Sequence, residues 1–289
     1  MSVISPPVSF SRTTFAAQVR AMASVFMREW WIFLRYPTWI IAMVVWPIIF
    51  PAAYILSARA LAGPDGSGLA QFLRNAGTDN FLGYIAIGTT VWMWQNIVLW
   101  DVGFALRRDQ QRGTLESNWV TPTWRFLFLI GQSLSQMITV IVFVGMTLLE
   151  FTLLLGMRLN VNPLSALLVV LLAIPCIYGL GFAFASLVIV AREANTFVFL
   201  VRGMVMVFCG ITYPVSVMPV WMQSIAAWMP PTQIISGMRA ALLTAATPTQ
   251  IAPTLLTLAL MGAFWLTVGI LLFRWTDRRA ARTGSMGQY

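Results

Sequence analysis

The chain contains no lysine and no histidine, and all 18 of its basic residues are arginine. A phosphate-binding P-loop needs a lysine after its glycines, so any ATP hydrolysis that drives this protein belongs to another polypeptide. Zinc-protease chemistry and histidine-based triads are excluded for want of histidine. Acidic residues are scarce as well. Glu29, Asp65, Asp79, Asp101, Asp109, Glu116, Glu150, Glu193 and Asp277 are the whole set, and none forms an evident intramembrane pair for carboxylate catalysis. The two cysteines, Cys176 and Cys209, each lie inside an apolar run and read as small buried residues, which rules out a disulfide framework or a metal site. The chain reads as a non-enzyme, with no catalytic residues, cofactor or metal of its own.

What is abundant is apolar: 59% of the 289 residues are hydrophobic and only 9% are charged. A soluble domain needs more charge than that, and no stretch is polar enough to be one, so residues 1–289 read as a single membrane domain. The formal charge of +9 sits beside apolar runs and forms no patch for nucleic acid, so membrane topology explains it better. Arg12, Arg20 and Arg28 break up the N-terminus before an apolar core of signal-peptide length. The first hydrophobic span is therefore expected to remain in the mature protein.

A helix needs roughly 20 mainly apolar residues to cross the hydrocarbon core. Six segments qualify: Thr38–Leu56, Leu82–Leu106, Trp124–Gly156, Pro163–Val190, Thr196–Tyr213 and Ile251–Phe273. They do not alternate as barrel strands would. With the N-terminus inside, 14 arginines fall on the cytoplasmic side and 4 (Arg59, Arg74, Arg158 and Arg239) on the outer side. That bias places both termini in the cytoplasm. Arg202 lies within the fifth segment and is expected to snorkel inward.

Ahead of the first span, Phe15, Val19, Met22, Phe26, Trp30 and Phe33 share one helical face, with Arg20, Arg28 and Arg35 opposite. This predicts an interfacial helix over 12–36, its aromatic face in the acyl boundary and its arginines in water. Pro47 and Pro51 predict a kink in the first span. In the fourth, Pro175 is followed by Gly179, Gly181, Ala183 and Ala185, small residues that permit close helix approach.

Between the second and third spans runs Arg107-Arg108-Asp109-Gln110-Gln111-Arg112-Gly113-Thr114-Leu115-Glu116-Ser117-Asn118-Trp119-Val120-Thr121-Pro122. Gly113 interrupts the helix leaving the membrane. Leu115 and Trp119, four residues apart, give the next short helix an apolar edge. Thr121-Pro122 is a start signal for the third span. By physics alone this is either a docking helix for a peripheral partner or a solvated connector. The string Gly-Thr-Leu-Glu at 113–116 with Thr-Pro at 121–122 resembles the loop of type 2 ABC transporter permeases. The resemblance implies a coupling helix that inserts into a groove of an ATPase subunit, through Arg112, Gly113, Thr114, Leu115, Glu116, Trp119 and Pro122. Where members of that family commonly carry an acidic residue shortly before the glycine, this chain has Gln110, Gln111 and, further back, Asp109.

A second stretch points the same way. Cys209-Gly210-Ile211-Thr212-Tyr213-Pro214, Met218-Pro219-Val220-Trp221, Met229-Pro230-Pro231-Thr232 and Arg239 are similar to the pattern that follows the fifth span in the same family. There it implies short extracytoplasmic helices dipping into the outer leaflet, here over 214–247. The runs Val215–Trp228 and Thr232–Ala246 are too short to span and are punctuated by prolines, which agrees.

Polar residues inside spans generally face protein or water. Gln132, Gln136, Thr139, Thr147 and Glu150 share one face of the third span, and the second contributes Thr89, Thr90, Gln95, Asn96 and Asp101. Gln95, Asn96, Gln132 and Gln136 are the candidate pathway residues, with interhelical hydrogen bonding as the alternative role. Glu150 is placed near Arg158 at the outer interface, and Asp101 near Arg107 or Arg108 at the inner one. Trp92, Trp94 and Trp100 are either substrate-stacking or packing residues.

The expectation is an all-α permease subunit of an ABC exporter in a bacterial-type inner membrane, moving a drug-like, lipid-like or glycan substrate outward. Its partners would be an ABC ATPase subunit carrying ATP and Mg, and a second permease copy, identical or related. The rivals are a stand-alone secondary transporter or channel and a non-transport assembly scaffold.

Overall fold

The computed structural model describes residues 14–61, 67–78, 80–121, 123–188 and 194–283. Every regular element among them is helical. In chain order they are α1 (Phe15–Arg35), α2 (Pro37–Leu61), α3 (Ser67–Ala76), α4 (Phe81–Asp101), α5 (Ala105–Gln111), α6 (Leu115–Val120), α7 (Phe126–Leu155), α8 (Pro163–Val188), α9 (Ala194–Phe208), α10 (Val220–Ala227), α11 (Pro230–Leu243) and α12 (Ala252–Thr283). A single 3₁₀ turn, Val215–Val217, precedes α10.

Four helices are long and apolar enough to cross a membrane: Pro37–Ser57 within α2, α7, α8, and Ala252–Arg279 within α12. They match the first, third, fourth and sixth expected spans. The second expected span, Leu82–Leu106, ends earlier. Its helix α4 stops at Asp101, and a turn over 102–104 hands the chain to α5. At 21 residues α4 is long enough, but Thr89, Thr90, Gln95 and Asn96 dilute its apolar character. The fifth, Thr196–Tyr213, keeps its helix only to Phe208; those 15 residues rise about 22 Å, short of the roughly 30 Å hydrocarbon core. Helix α3 was not anticipated from the sequence. Residues 189–190 of the fourth expected span lie outside the described residues.

Helix α4 occupies the centre. Sixteen of its residues are buried, and α2, α7, α8, α9 and α11 all pack on it. Asn80 caps its start by accepting the Gly83 N–H at 2.8 Å, which satisfies one of the orphan donors of a helix N-terminus. Beside it, α8 and α12 form the tightest pair. A Cβ on Gly179 would lie 2.5 Å from the Leu266 backbone nitrogen and 2.6 Å from the Trp265 carbonyl carbon, so only glycine fits. This is the close approach that the small residues of the fourth span predict. Cys176 Sγ reaches the Leu258 carbonyl oxygen across the same seam at 3.2 Å.

Helix α2 continues through Pro47 and Pro51 as one element. Helix α7 starts at Phe126, with Arg125 as its N-cap. Thr121 does not cap it: its hydroxyl turns back to the Asn118 carbonyl at 2.6 Å. Pro122 lies outside the described residues. Gly156 closes α7 in the left-handed conformation at φ 65°, as a C-terminal glycine does. Arg125 then ties the start of α7 to Asp277 of α12 at 2.5 Å.

The helix expected over 12–36 forms as α1 and lies against α7 with Val25 buried. Phe15 and Val19 are exposed, whereas Met22, Phe26, Trp30 and Phe33 are half-buried. Its arginines are not all free in water. Arg28 bonds Glu29 at 2.7 Å and reaches Asp109 at 3.6 Å.

The α8–α12 seam gives a direct test. Gly179→Val is expected to destabilise the detergent-solubilised chain by about 1–3 kcal/mol or more, because its neighbours are backbone atoms that cannot yield. Gly145→Ala, at a site with nothing within 4 Å of the added Cβ, should leave the thermal midpoint unchanged. Equal midpoints for both variants would contradict the packing.

Candidate functional site

A cavity of about 500 Å³ opens between α1, α2, α4 and α7. Three of the four candidate pathway residues line it: Asn96 from α4, and Gln132 and Gln136 from α7. Gln95 does not. Adjacent residues on a helix point about 100° apart, so the face that brings Asn96 to the cavity turns Gln95 into the protein, where it is 2% exposed and neither polar atom has a partner.

The polar lining is held in place by neighbours. Gln136 Oε1 accepts from the Tyr178 hydroxyl of α8, and Asn96 Nδ2 donates to the Trp92 carbonyl at 2.8 Å. Gln136 Nε2 and Asn96 Oδ1 remain without partners. Phe50 of α2 stacks on Trp92, with ring centroids 4.4 Å apart. Arg202 of α9 brings its guanidinium to 4.8 Å from the same ring. It therefore meets an aromatic face beside the cavity, where simple snorkelling was expected. Trp100 also lines the cavity and stacks on Phe104 at 5.2 Å, whereas Trp94 belongs to the buried core.

At the C-terminal end of α4, Arg108 folds back from α5 over the last turn. It donates to the carbonyls of Trp100 at 2.9 Å and Asp101 at 2.6 Å, and lies 3.7 Å from the Asp101 carboxylate. A cation at a helix C-terminus meets both orphan carbonyls and the negative end of the dipole. Of the two arginines expected near Asp101, the structure selects Arg108. Glu150, by contrast, has neither Arg158 nor any other hydrogen-bond partner: both its carboxylate oxygens are buried and unpaired.

The 107–122 segment is built around a Schellman closure. Gly113 takes φ +69°. Its N–H bonds the Gln110 carbonyl at 3.0 Å, and the Thr114 N–H bonds the Asp109 carbonyl at 3.0 Å. These are the paired bonds that end a helix at a left-handed glycine. The Gly-Thr of the Gly-Thr-Leu-Glu string thus has a mechanical role, turning the chain from α5 into α6. Asp109 organises the turn from inside. Its carboxylate accepts from the Thr114 hydroxyl at 3.4 Å and from Asn118 Nδ2 at 3.3 Å, and faces Arg28.

Arg112 and Gly113 are exposed and Thr114 is half-buried. Leu115, half of the expected apolar edge, is 1% exposed and joins the main core cluster. Its part is to anchor α6 to the chain, since a side chain enclosed there has no surface to offer a partner. Glu116 and Trp119 lie in α6 by backbone, and their side chains are outside the described residues, as is Pro122.

At the opposite end of α4, Arg239 of α11 is a clamp on backbone carbonyls. It donates to the carbonyls of Tyr84 at 3.0 Å, Gly210 at 2.9 Å and Ile211 at 2.8 Å, with its guanidinium over the Tyr84 ring. Gly88 makes this clamp possible, since a Cβ there would strike the Ile211 carbonyl oxygen. Sequence reasoning had counted Arg239 among the outer charges. The available hint was the Gly210…Arg239 spacing of the second motif, which does not reveal that the two ends meet.

Apolar helices of spanning length around a partly polar central helix make this a multi-pass membrane protein. It belongs to the ABC-2 type transporter family, whose model matches residues 20–243, and is a permease subunit of an ABC transporter, a membrane component that works with an ATPase. No curated protein matches the chain.

Burial raises the Asp109 carboxyl above its ordinary value of 3.8; Arg28 opposes that shift and Glu29 adds to it. The folded chain therefore holds this proton more tightly than the unfolded one. The carboxyl's contribution to stability is fully present below pH 3.8 and is lost as pH rises through the folded value. Asp109→Asn should flatten the pH dependence of the thermal midpoint from that point upward, and Arg28→Gln should steepen it. Unchanged profiles in both would contradict the assignment.

Proposed function

We propose that the chain is the membrane half of an ATP-driven exporter, carrying a drug-like, lipid-like or glycan substrate out of the cytoplasm by alternating access. Two copies, or one copy with a related permease, enclose the pathway in a bacterial-type inner membrane, with both termini cytoplasmic. One ATPase, holding ATP and Mg, sits beneath each. Helices α4 and α9 complete six crossings, α4 shielded by its neighbours and α9 extended by the segment that follows it.

The observation that carries this reading is the position of Arg108. It belongs to α5, caps α4, and lines the cavity. A push on the exposed Arg112–Gly113 turn is transmitted through α5 to the cavity wall, which is what coupling between a motor and two access states requires. Arg28 ties α1 to the same turn through Asp109, so the two inner-surface elements move together.

Affinity purification of the chain from native membranes in mild detergent is expected to recover a stoichiometric P-loop ATPase. Glu116→Arg should reduce that capture while leaving membrane insertion intact. Reproducible recovery of the chain without any ATPase would contradict the reading.

A further inference from the structure

The cavity wall carries an excess positive charge, and that excess sits on Arg202. Its carboxylates are Glu29 and Asp101, against Arg108, Arg112 and Arg202. Glu29 is held by Arg28 at 2.7 Å and Asp101 by Arg108 at 3.7 Å. Asp109, beside the floor, meets Arg28 at 3.6 Å and the field of Arg112. Among the described residues no carboxylate lies within ion-pair distance of Arg202, whose near neighbour is the Trp92 ring at 4.8 Å. A charge midway along an apolar helix is expensive to hold and marks a place where a polar group is met.

Gln136 Nε2 and Trp92 Nε1 are buried donors without acceptors, and Asn96 Oδ1 is a buried acceptor without a donor, on residues of the same wall. Enclosed as they are, they leave the preference to the guanidinium: an uncompensated cation on the wall suits an anionic group, since charge-assisted bonds to an anion are the strongest available. An organic cation would find both lining carboxylates already engaged. The rest of the wall is apolar, with Trp39, Trp46 and Phe50 of α2 along one side.

We propose, on the transport reading above, that the cavity binds an amphiphile whose anionic head (phosphate, sulfate or carboxylate) meets Arg202 and whose apolar body lies along Trp39, Trp46 and Phe50. The tryptophans in the wall supply the readout. The full-length chain in phosphatidylcholine nanodiscs is titrated with 1-naphthyl phosphate, 1-naphthol and 1-naphthylmethylammonium, and quenching of tryptophan fluorescence is followed.

The phosphate is expected to bind saturably and most tightly of the three. Arg202→Gln should weaken it roughly tenfold or more, the worth of one charge-assisted contact, and leave naphthol unchanged. Arg202→Lys, which keeps the charge, should fall between wild type and Arg202→Gln. Tighter binding of the ammonium probe, or an unchanged phosphate affinity in Arg202→Gln, would overturn the proposal. Should the variants fail to fold, the wild-type series alone decides it. Inorganic phosphate that competes as strongly as the naphthyl ester would also overturn it, by showing a site for a bare anion. Replacing the disc lipid with phosphatidylglycerol locates the source of the head group: competition assigns it to a bilayer lipid, and none assigns it to a soluble amphiphile. Capture of the ATPase is measured on the wild-type chain and does not depend on head-group preference, so failure here leaves the permease assignment standing.

Discussion

A helix that carries Thr89, Thr90, Gln95 and Asn96 along its length cannot face lipid, and the rest of the structure follows from keeping α4 enclosed. In hydrocarbon a polar side chain without a partner costs several times what it does in water. The surrounding helices α2, α7, α8, α9 and α11 supply that enclosure. Thr89 and Thr90 return their hydroxyls to carbonyls of their own helix, and Asn96 Nδ2 does the same to the Trp92 carbonyl. The enclosure is incomplete only where the cavity opens.

The two ends of α4 are fastened by arginines from opposite directions. Arg239 holds the N-terminal end by bonding carbonyls of Tyr84, Gly210 and Ile211, joining the segment after α9 to the core. Arg108, from α5, holds the C-terminal end. Between these fixed points lies the cavity, with Arg202 on its wall. A central helix fastened at both ends is a rigid element of the fold, and rigid elements with discrete packings are what carry a signal between distant sites. On the coupling proposed above, the turn at Asp109, with Leu115 sunk in the core, is the link between α6 and that element.

Much of this was legible in the chain itself. Apolarity is a local property, so α2, α7, α8 and α12 could be located, although α12 runs on past the expected Phe273 to Thr283, and Gly179 marked a close approach because small size needs no context. The Gly-Thr pair at 113–114 announced a helix end by its backbone chemistry. What could not be read depends on distant partners. Whether Leu115 turns inward or toward a partner is decided by the core it meets, not by its spacing from Trp119. Arg239 looked like a topological charge because its three carbonyl partners lie up to 155 positions away in sequence. At the end of α4, Arg108 folds back onto the Trp100 and Asp101 carbonyls, a contact that periodicity does not register. Helix α9 looked longer in hydropathy than it is, since Cys209–Tyr213 is apolar but bends to bring its carbonyls to Arg239.

The arrangement requires α4 to present one face to the cavity and to bury the next. Single cysteines at neighbouring positions separate those faces, in a chain whose own Cys176 and Cys209, both buried, have been replaced by serine and alanine. A small hydrophilic thiol reagent should label Ile97→Cys, on the partly exposed face that lines the cavity, and leave Gln95→Cys unmodified in the folded protein. Equal labelling at both positions, or labelling at Gln95→Cys alone, would contradict it.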